Sequence, residues 1–83
     1  MSGHFVYMIR CRDGTYYIGY TTDLSRRMAQ HNSGEGAKYT RGRAPVELLY
    51  WEEHEDSGSA LRREYDLKKM KRDKKARLAG ATR

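Results

Sequence analysis

From His4 to Cys11 the chain alternates, with Phe5, Tyr7, Ile9 and Cys11 on one side and Val6, Met8 and Arg10 on the other. Apolar residues on both sides predict a strand buried partly on both faces. Asp13-Gly14 follows, and Asp-Gly between two strand-like runs is a strong hairpin signal, so Thr15–Tyr20 should return antiparallel to the first strand. The period then changes. Asp23 can cap a helix whose inward stripe reads Leu24, Arg27, Met28 and His31, with Gly34 available to stop it near Ser33. Gly34–Pro45 reads as a loop with three glycines and the basic residues Lys38, Arg41 and Arg43 around Tyr39. Val46–Glu53 predicts a third strand, rich in Val, Leu, Tyr and Trp. Asp56 or Ser57 can cap a second helix with Ala60, Leu61, Leu67 and Met70 on its apolar side, and Arg72–Leu78 predicts a short third helix. The fold class is therefore α+β, a three-stranded antiparallel sheet flanked by helices in the order β-β-α-β-α-α.

Eighty-three residues and 9.7 kDa fit one domain over residues 1–83, with no repeat, linker or low-complexity tract. A chain of this length buries only ~60% of the surface its unfolded form exposes, so one small core must suffice. Cys11 is the only cysteine, which excludes an intramolecular disulfide and a cysteine-cluster zinc site and suits a reducing, cytoplasmic setting. No apolar run approaches a membrane span, and Met1–Phe5 lacks the form of a signal peptide. Charge narrows the class further. The net charge is +6 and the pI near 9.7, which point to a polyanionic partner. The charge is also segregated: residues 1–45 carry +4, residues 46–60 hold five acids and no base, and residues 61–83 carry +7.

Residues that break the patterns carry the candidate chemistry. Arg27 and His31 stand four apart, on the side of the first helix that also bears Leu24 and Met28. Glu64 falls on the apolar side of the second helix, where a carboxylate is costly unless it is paired or ligates a cation. An ion pair with Arg27, or with Lys68 one turn on, would account for it without catalysis. Seven tyrosines in so short a chain are a second anomaly, with Tyr7, Tyr17 and Tyr39 expected near the same charges; each also suits a strand as such. His4, His31 and His54 lack metal-ligand spacing, Gly34-Glu35-Gly36 is too short for a nucleotide-binding loop, and Cys11 reads as a buried strand residue.

Phe5-Val6-Tyr7, nine residues, Tyr17-Ile18-Gly19, then Arg27, His31-Asn32 and Glu64 together resemble the GIY-YIG nuclease superfamily, in particular its small single-domain members. The likeness spans about Phe5 to Lys75 and implies the same sheet with flanking helices. It also implies a divalent-metal-dependent endonuclease that cleaves DNA phosphodiesters, in repair or processing. On that resemblance Tyr17 or Tyr7 is the general base, helped by a cation because a free tyrosine ionises only near pH ~10. Glu64 is the single metal-binding carboxylate, for Mg²⁺ or Mn²⁺ held weakly without substrate. Arg27 clamps the scissile phosphate, and His31 donates to that phosphate or orients a tyrosine.

The chain departs from the family pattern in three places: Phe5 replaces the leading glycine, Tyr20 stands where some relatives place a lysine, and no late-helix asparagine is found. The 83 residues are expected to form the catalytic-type domain alone, without the attached DNA-binding domain usual among family nucleases. Phosphate contacts must then come from Lys38, Tyr39, Arg41 and Arg43 in the loop and from Lys68 and Lys71, or from a protein partner. Such contacts read shape rather than sequence, and RNA is not excluded beside DNA. A second reading is a nucleic-acid-binding module of the same fold with little or no turnover. A third is an adaptor that meets a partner through the acidic Glu47–Asp56 segment, although a solvated edge strand explains that segment as well.

Overall fold

Asp13 closes the first hairpin with its carboxylate, which accepts from the Thr15 amide at 3.2 Å and the Thr15 hydroxyl at 2.7 Å, while Gly14 takes a positive φ of 87° that a side chain would oppose. The computed structural model describes residues 3–81. On either side of this turn lie β1 (His4–Arg10) and β2 (Tyr16–Thr21); α1 (Leu24–Ser33), β3 (Glu47–His54), α2 (Ser57–Lys68) and α3 (Arg72–Ala81) follow. The sheet order is β2-β1-β3, antiparallel throughout, so β3 is an edge strand and β1 is central. The expected α+β order is the observed one.

Central position explains the two-sided pattern of β1, whose residues Val6 to Ile9 are fully buried. On one face Val6, Met8, Ile18 and Leu49 meet Ala60 and Leu67 of α2 and Ala79 of α3. The other face carries Tyr7, which lies opposite Gly19 of β2 and Trp51 of β3. There α1 and the turn after it supply the two buried polar residues among those described, His31 and Thr40.

The helix starts follow the caps. Asp23 accepts from the Arg26 amide at 3.1 Å and Asp56 from the Ser59 amide at 2.7 Å, while Gly34 ends α1 with a φ of 86°. Several expected details shift. β1 stops at Arg10 and Cys11 is buried one residue beyond, because its amide turns to the Thr15 carbonyl. β3 begins and ends one residue late, and α3 continues to Ala81. Leu61 is half-exposed, since α2 buries Ala60 and Leu67 and the next residue after Ala60 is turned ~100° away. The loop after Gly34 contains a short 3-10 turn, Lys38–Thr40.

Candidate functional site

Tyr7 is the centre of the site, and Gly19 gives it room. A Cβ on Gly19 would overlap the Tyr7 hydroxyl, so the last residue of Tyr17-Ile18-Gly19 is glycine for close approach rather than for a turn. The Tyr7 hydroxyl lies 2.8 Å from His31 Nε2 and accepts from Arg27 Nε at 3.4 Å. Arg27 Nη1 donates to Gln30 Oε1 at 3.0 Å, so Tyr7 of β1 and Gln30 of α1 together hold its guanidinium at two nitrogens. On its far side His31 Nδ1 lies 2.8 Å from Thr40 Oγ1. Gly36 lets the loop fold over this ring, because a Cβ there would meet His31 Nδ1 and Cα.

Tyr17 enters from β2. Its ring centroid lies 5.5 Å from that of His31, edge-on, and 5.6 Å from that of Tyr39, on which it stacks. The Arg43 guanidinium sits 4.4 Å over the Tyr39 ring and donates to Asp13 at 2.8 Å. Aromatic and guanidinium planes thus continue from the buried tyrosine to the exposed loop. On the side of Arg27 an open depression is lined by Tyr20, Thr21, Asp23, Arg26, Arg27 and Gln30.

Burial dominates the electrostatics. It pushes the Tyr7 phenol up to about 12, against the Arg27 hydrogen bond, with the charges of Tyr17 and Glu64 adding to the rise. Burial, then the Arg27 charge, lower His31 to about 4. At neutral pH Tyr7 is therefore protonated and His31 is neutral. Glu64, on the Ala60–Leu67 side of α2, keeps 17% of its side chain exposed, and Lys68 Nζ lies 3.1 Å from its Oε2. Lys68, one of the two alternatives for pairing Glu64, is thus its ion-pair partner.

Tyr7, Tyr17, Arg27 and His31 come together in one cluster, while Glu64 is paired with Lys68 and contributes the smallest of the effects that raise the Tyr7 phenol. Among the residues expected to meet phosphate, Tyr39 and Arg43 join the aromatic stack, Lys38, Arg41 and Lys71 are exposed, and Lys68 is engaged by Glu64. Sequence reasoning missed Thr40, Gly36 and Gln30. Only Gln30 left a signal, its position three residues from Arg27 on the same helix. As a metal ligand Glu64 is a hard oxygen donor, and no group of three or more His, Cys, Asp or Glu able to hold a metal occurs among the described residues. That donor set fits a cation that keeps waters and takes substrate oxygens, as Mg²⁺ or Mn²⁺ does. No helix among the described residues is long and apolar enough to cross a membrane.

Residues 3–77 match the family model of the GIY-YIG catalytic domain. A UPF0213 protein of Halobacterium salinarum is 56% identical over 75 residues, covering 90% of this chain and 97% of that protein. A UPF0213 protein of Staphylococcus aureus is 50% identical over 78 residues, covering 94% and 95%. The solution NMR structure of a UPF0213 protein from Bacillus halodurans superposes with a TM-score of 0.61 at 46% identity, covering 95% of this chain and 84% of that one. A second NMR structure, of a protein from E. faecalis, gives 0.66 at 39% identity, covering 99% and 88%. With Arg27 and His31 joined to the Tyr7 hydroxyl, Tyr17 packed against the rings of Tyr7 and His31, and relatives alike over nearly their whole length, the chain belongs to the GIY-YIG domain family, beside the UPF0213 proteins.

Proposed function

We propose that the chain is a divalent-metal-dependent endonuclease that hydrolyses DNA phosphodiester bonds in DNA repair or processing, within the cytoplasm. The observation that carries this reading is the convergence of Arg27, His31 and Tyr17 on Tyr7, with the charge of Glu64 acting on the same hydroxyl. Packing alone does not call for an arginine, a neutral histidine and two tyrosines gathered in one cluster.

Each residue then has a task. Arg27, held at two nitrogens, presents a preorganised fork to the scissile phosphate and opposes the charge that grows on it. Tyr7 is fully buried and its hydroxyl is already engaged by His31 and Arg27, so it positions Arg27 rather than receiving the water's proton. Tyr17, partly exposed at the rim, is the general base: as its phenolate it takes a proton from water as the water oxygen bonds to phosphorus, and the bond to the 3′ oxygen breaks, that oxygen taking a proton from solvent. His31 has both ring nitrogens occupied and orients Tyr7. Glu64 would hold Mg²⁺ or Mn²⁺, with Lys68 giving way on binding; such an ion supplies charge stabilisation and a more acidic water. Lys38, Arg41 and Lys71 follow the phosphate backbone, and Tyr39 and Arg43 extend the stack beside it.

The non-catalytic binding module remains the second reading, favoured by the Glu64–Lys68 pair, which neutralises the one carboxylate that would repel phosphate. A labelled panel of single-stranded, duplex, nicked, flapped and junction DNA, with RNA alongside, separates the two. Product formed with Mn²⁺ or Mg²⁺ and abolished by EDTA is the expected result. Salt-sensitive binding to the same panel with no cleavage of any member would overturn the nuclease.

A further inference from the structure

We infer that Thr40 is a positioning residue that locks the His31 ring in its Nδ1–H tautomer, so that the proton between Tyr7 and His31 belongs to Tyr7. The direction of the chain is fixed at its far end. Thr40 Oγ1 lies 2.9 Å from the Ala37 carbonyl oxygen, which can only accept, and a threonine hydroxyl has one hydrogen to give. With that hydrogen spent on Ala37, Thr40 faces His31 with a lone pair, and the 2.8 Å contact requires the proton on Nδ1. A neutral imidazole carries one ring proton, so Nε2 is bare and accepts from the Tyr7 hydroxyl at 2.8 Å. Tyr7 in turn offers its lone pair to Arg27 Nε at 3.4 Å. Arg27 donates to Tyr7, Tyr7 to His31, His31 to Thr40 and Thr40 to Ala37, and each of these donors meets one acceptor.

The other tautomer breaks this order. An Nε2–H would face a Tyr7 oxygen that already faces the Arg27 N–H, and the Tyr7 proton would lose its acceptor in a site where Tyr7 and His31 have no exposure and Thr40 has 1%. The depressed pKa of His31 agrees with a neutral ring. The surroundings are built to hold Thr40 still: its amide also donates to the Ala37 carbonyl at 3.0 Å, and Gly36 lets the loop close against the ring. Thr40 thus acts on the guanidinium of Arg27 at three removes. That consequence for catalysis rests on the nuclease reading; the tautomer does not.

The test is a two-bond ¹H–¹⁵N correlation spectrum of the histidine rings at pH 7 in the wild type, Thr40→Val and Thr40→Ser. The wild type should show a pyrrole-like Nδ1 and a pyridine-like Nε2 at His31. Thr40→Val, equal in volume but without the hydroxyl, should move the ring to the Nε2–H form or to a mixture, and Thr40→Ser should restore the wild-type pattern. An Nε2–H ring in the wild type, or an unchanged Nδ1–H ring in Thr40→Val, overturns the inference. If Thr40→Val fails to fold, the wild type and Thr40→Ser decide it: an Nε2–H ring in either overturns the inference. Where cleavage is measurable, Thr40→Val should also slow it by up to roughly 100-fold, the usual cost of a slightly misplaced group, with Thr40→Ser near wild type. The ring spectrum is read without DNA or metal, so a failure of the nuclease reading leaves it intact.

Discussion

Lowering the pH from 7.5 to 5 protonates His31 in the unfolded chain but not in the folded one, because its pKa falls from 6.5 to about 4 on burial. The unfolded state then binds more protons, so stability falls with pH across this window, the contribution being fully present above pH 6.5 and gone below pH 4. Linkage over that interval gives a loss of about 2 kcal/mol by pH 5. Asp13, Glu52 and Asp56 also have lowered pKa values, with the Thr15 hydroxyl, the bonds from Tyr50, His54 and Arg63, and the Ser59 amide as the causes that lower them. Their stabilisation is present above the ordinary carboxylate values of 3.8 to 4.5 and is lost only below them, so the upper window belongs to histidine. Urea unfolding at pH 7.5 and 5 measures the difference, with His31→Gln as the reference that cancels His4 and His54. The His31 ring-proton shift, followed by NMR, should not move until below pH ~5. Equal stability at both pH values, a slope that survives in His31→Gln, or a ring that titrates near 6.5 would refute the buried neutral histidine.

Two further outcomes follow from the same geometry. Gly19→Ala drives a methyl into the Tyr7 hydroxyl and should cost about 1–3 kcal/mol as overpacking does, measured by chemical denaturation, with the Tyr7–His31 bond lost from the ring spectrum; a stable variant with that bond intact would contradict the close-approach role. Lys38→Ala and Arg41→Ala should each lower the slope of log binding constant against log salt by about 1, with no change in substrate preference. An unchanged slope would remove those residues from the interface.

Much of the fold was legible because its decisions are local. Asp13-Gly14, Asp23, Gly34 and Asp56 act within three residues of themselves, and the structure uses each where the pattern placed it. Arg27 and His31 were legible as polar interruptions of an apolar stripe, and Tyr7 as one of an unusual number of tyrosines and by its place in the Phe5-Val6-Tyr7 motif. Thr40 was not, because its burial depends on a loop folding back over α1, and no period in Ala37-Lys38-Tyr39-Thr40 records that contact. Lys68 was read as facing phosphate although its i,i+4 spacing from Glu64 already offered the ion pair. The acidic segment held a similar surprise. Glu52 turns to the helix side of β3, where the Tyr50 hydroxyl, His54 at 2.8 Å and Arg63 of α2 at 2.8 Å satisfy it, a pairing across elements that residue spacing does not report.

Whether Glu64 holds a metal ion or serves only its ion pair with Lys68 is decided by Glu64→Gln, with DNA binding and cleavage measured on one substrate with Mn²⁺ and with EDTA. The variant should bind DNA at least as tightly as the wild type in EDTA, since a charge facing phosphate is gone, and metal-dependent product should disappear. Metal-dependent cleavage that continues unchanged in Glu64→Gln would contradict the assignment of Glu64 as the metal ligand.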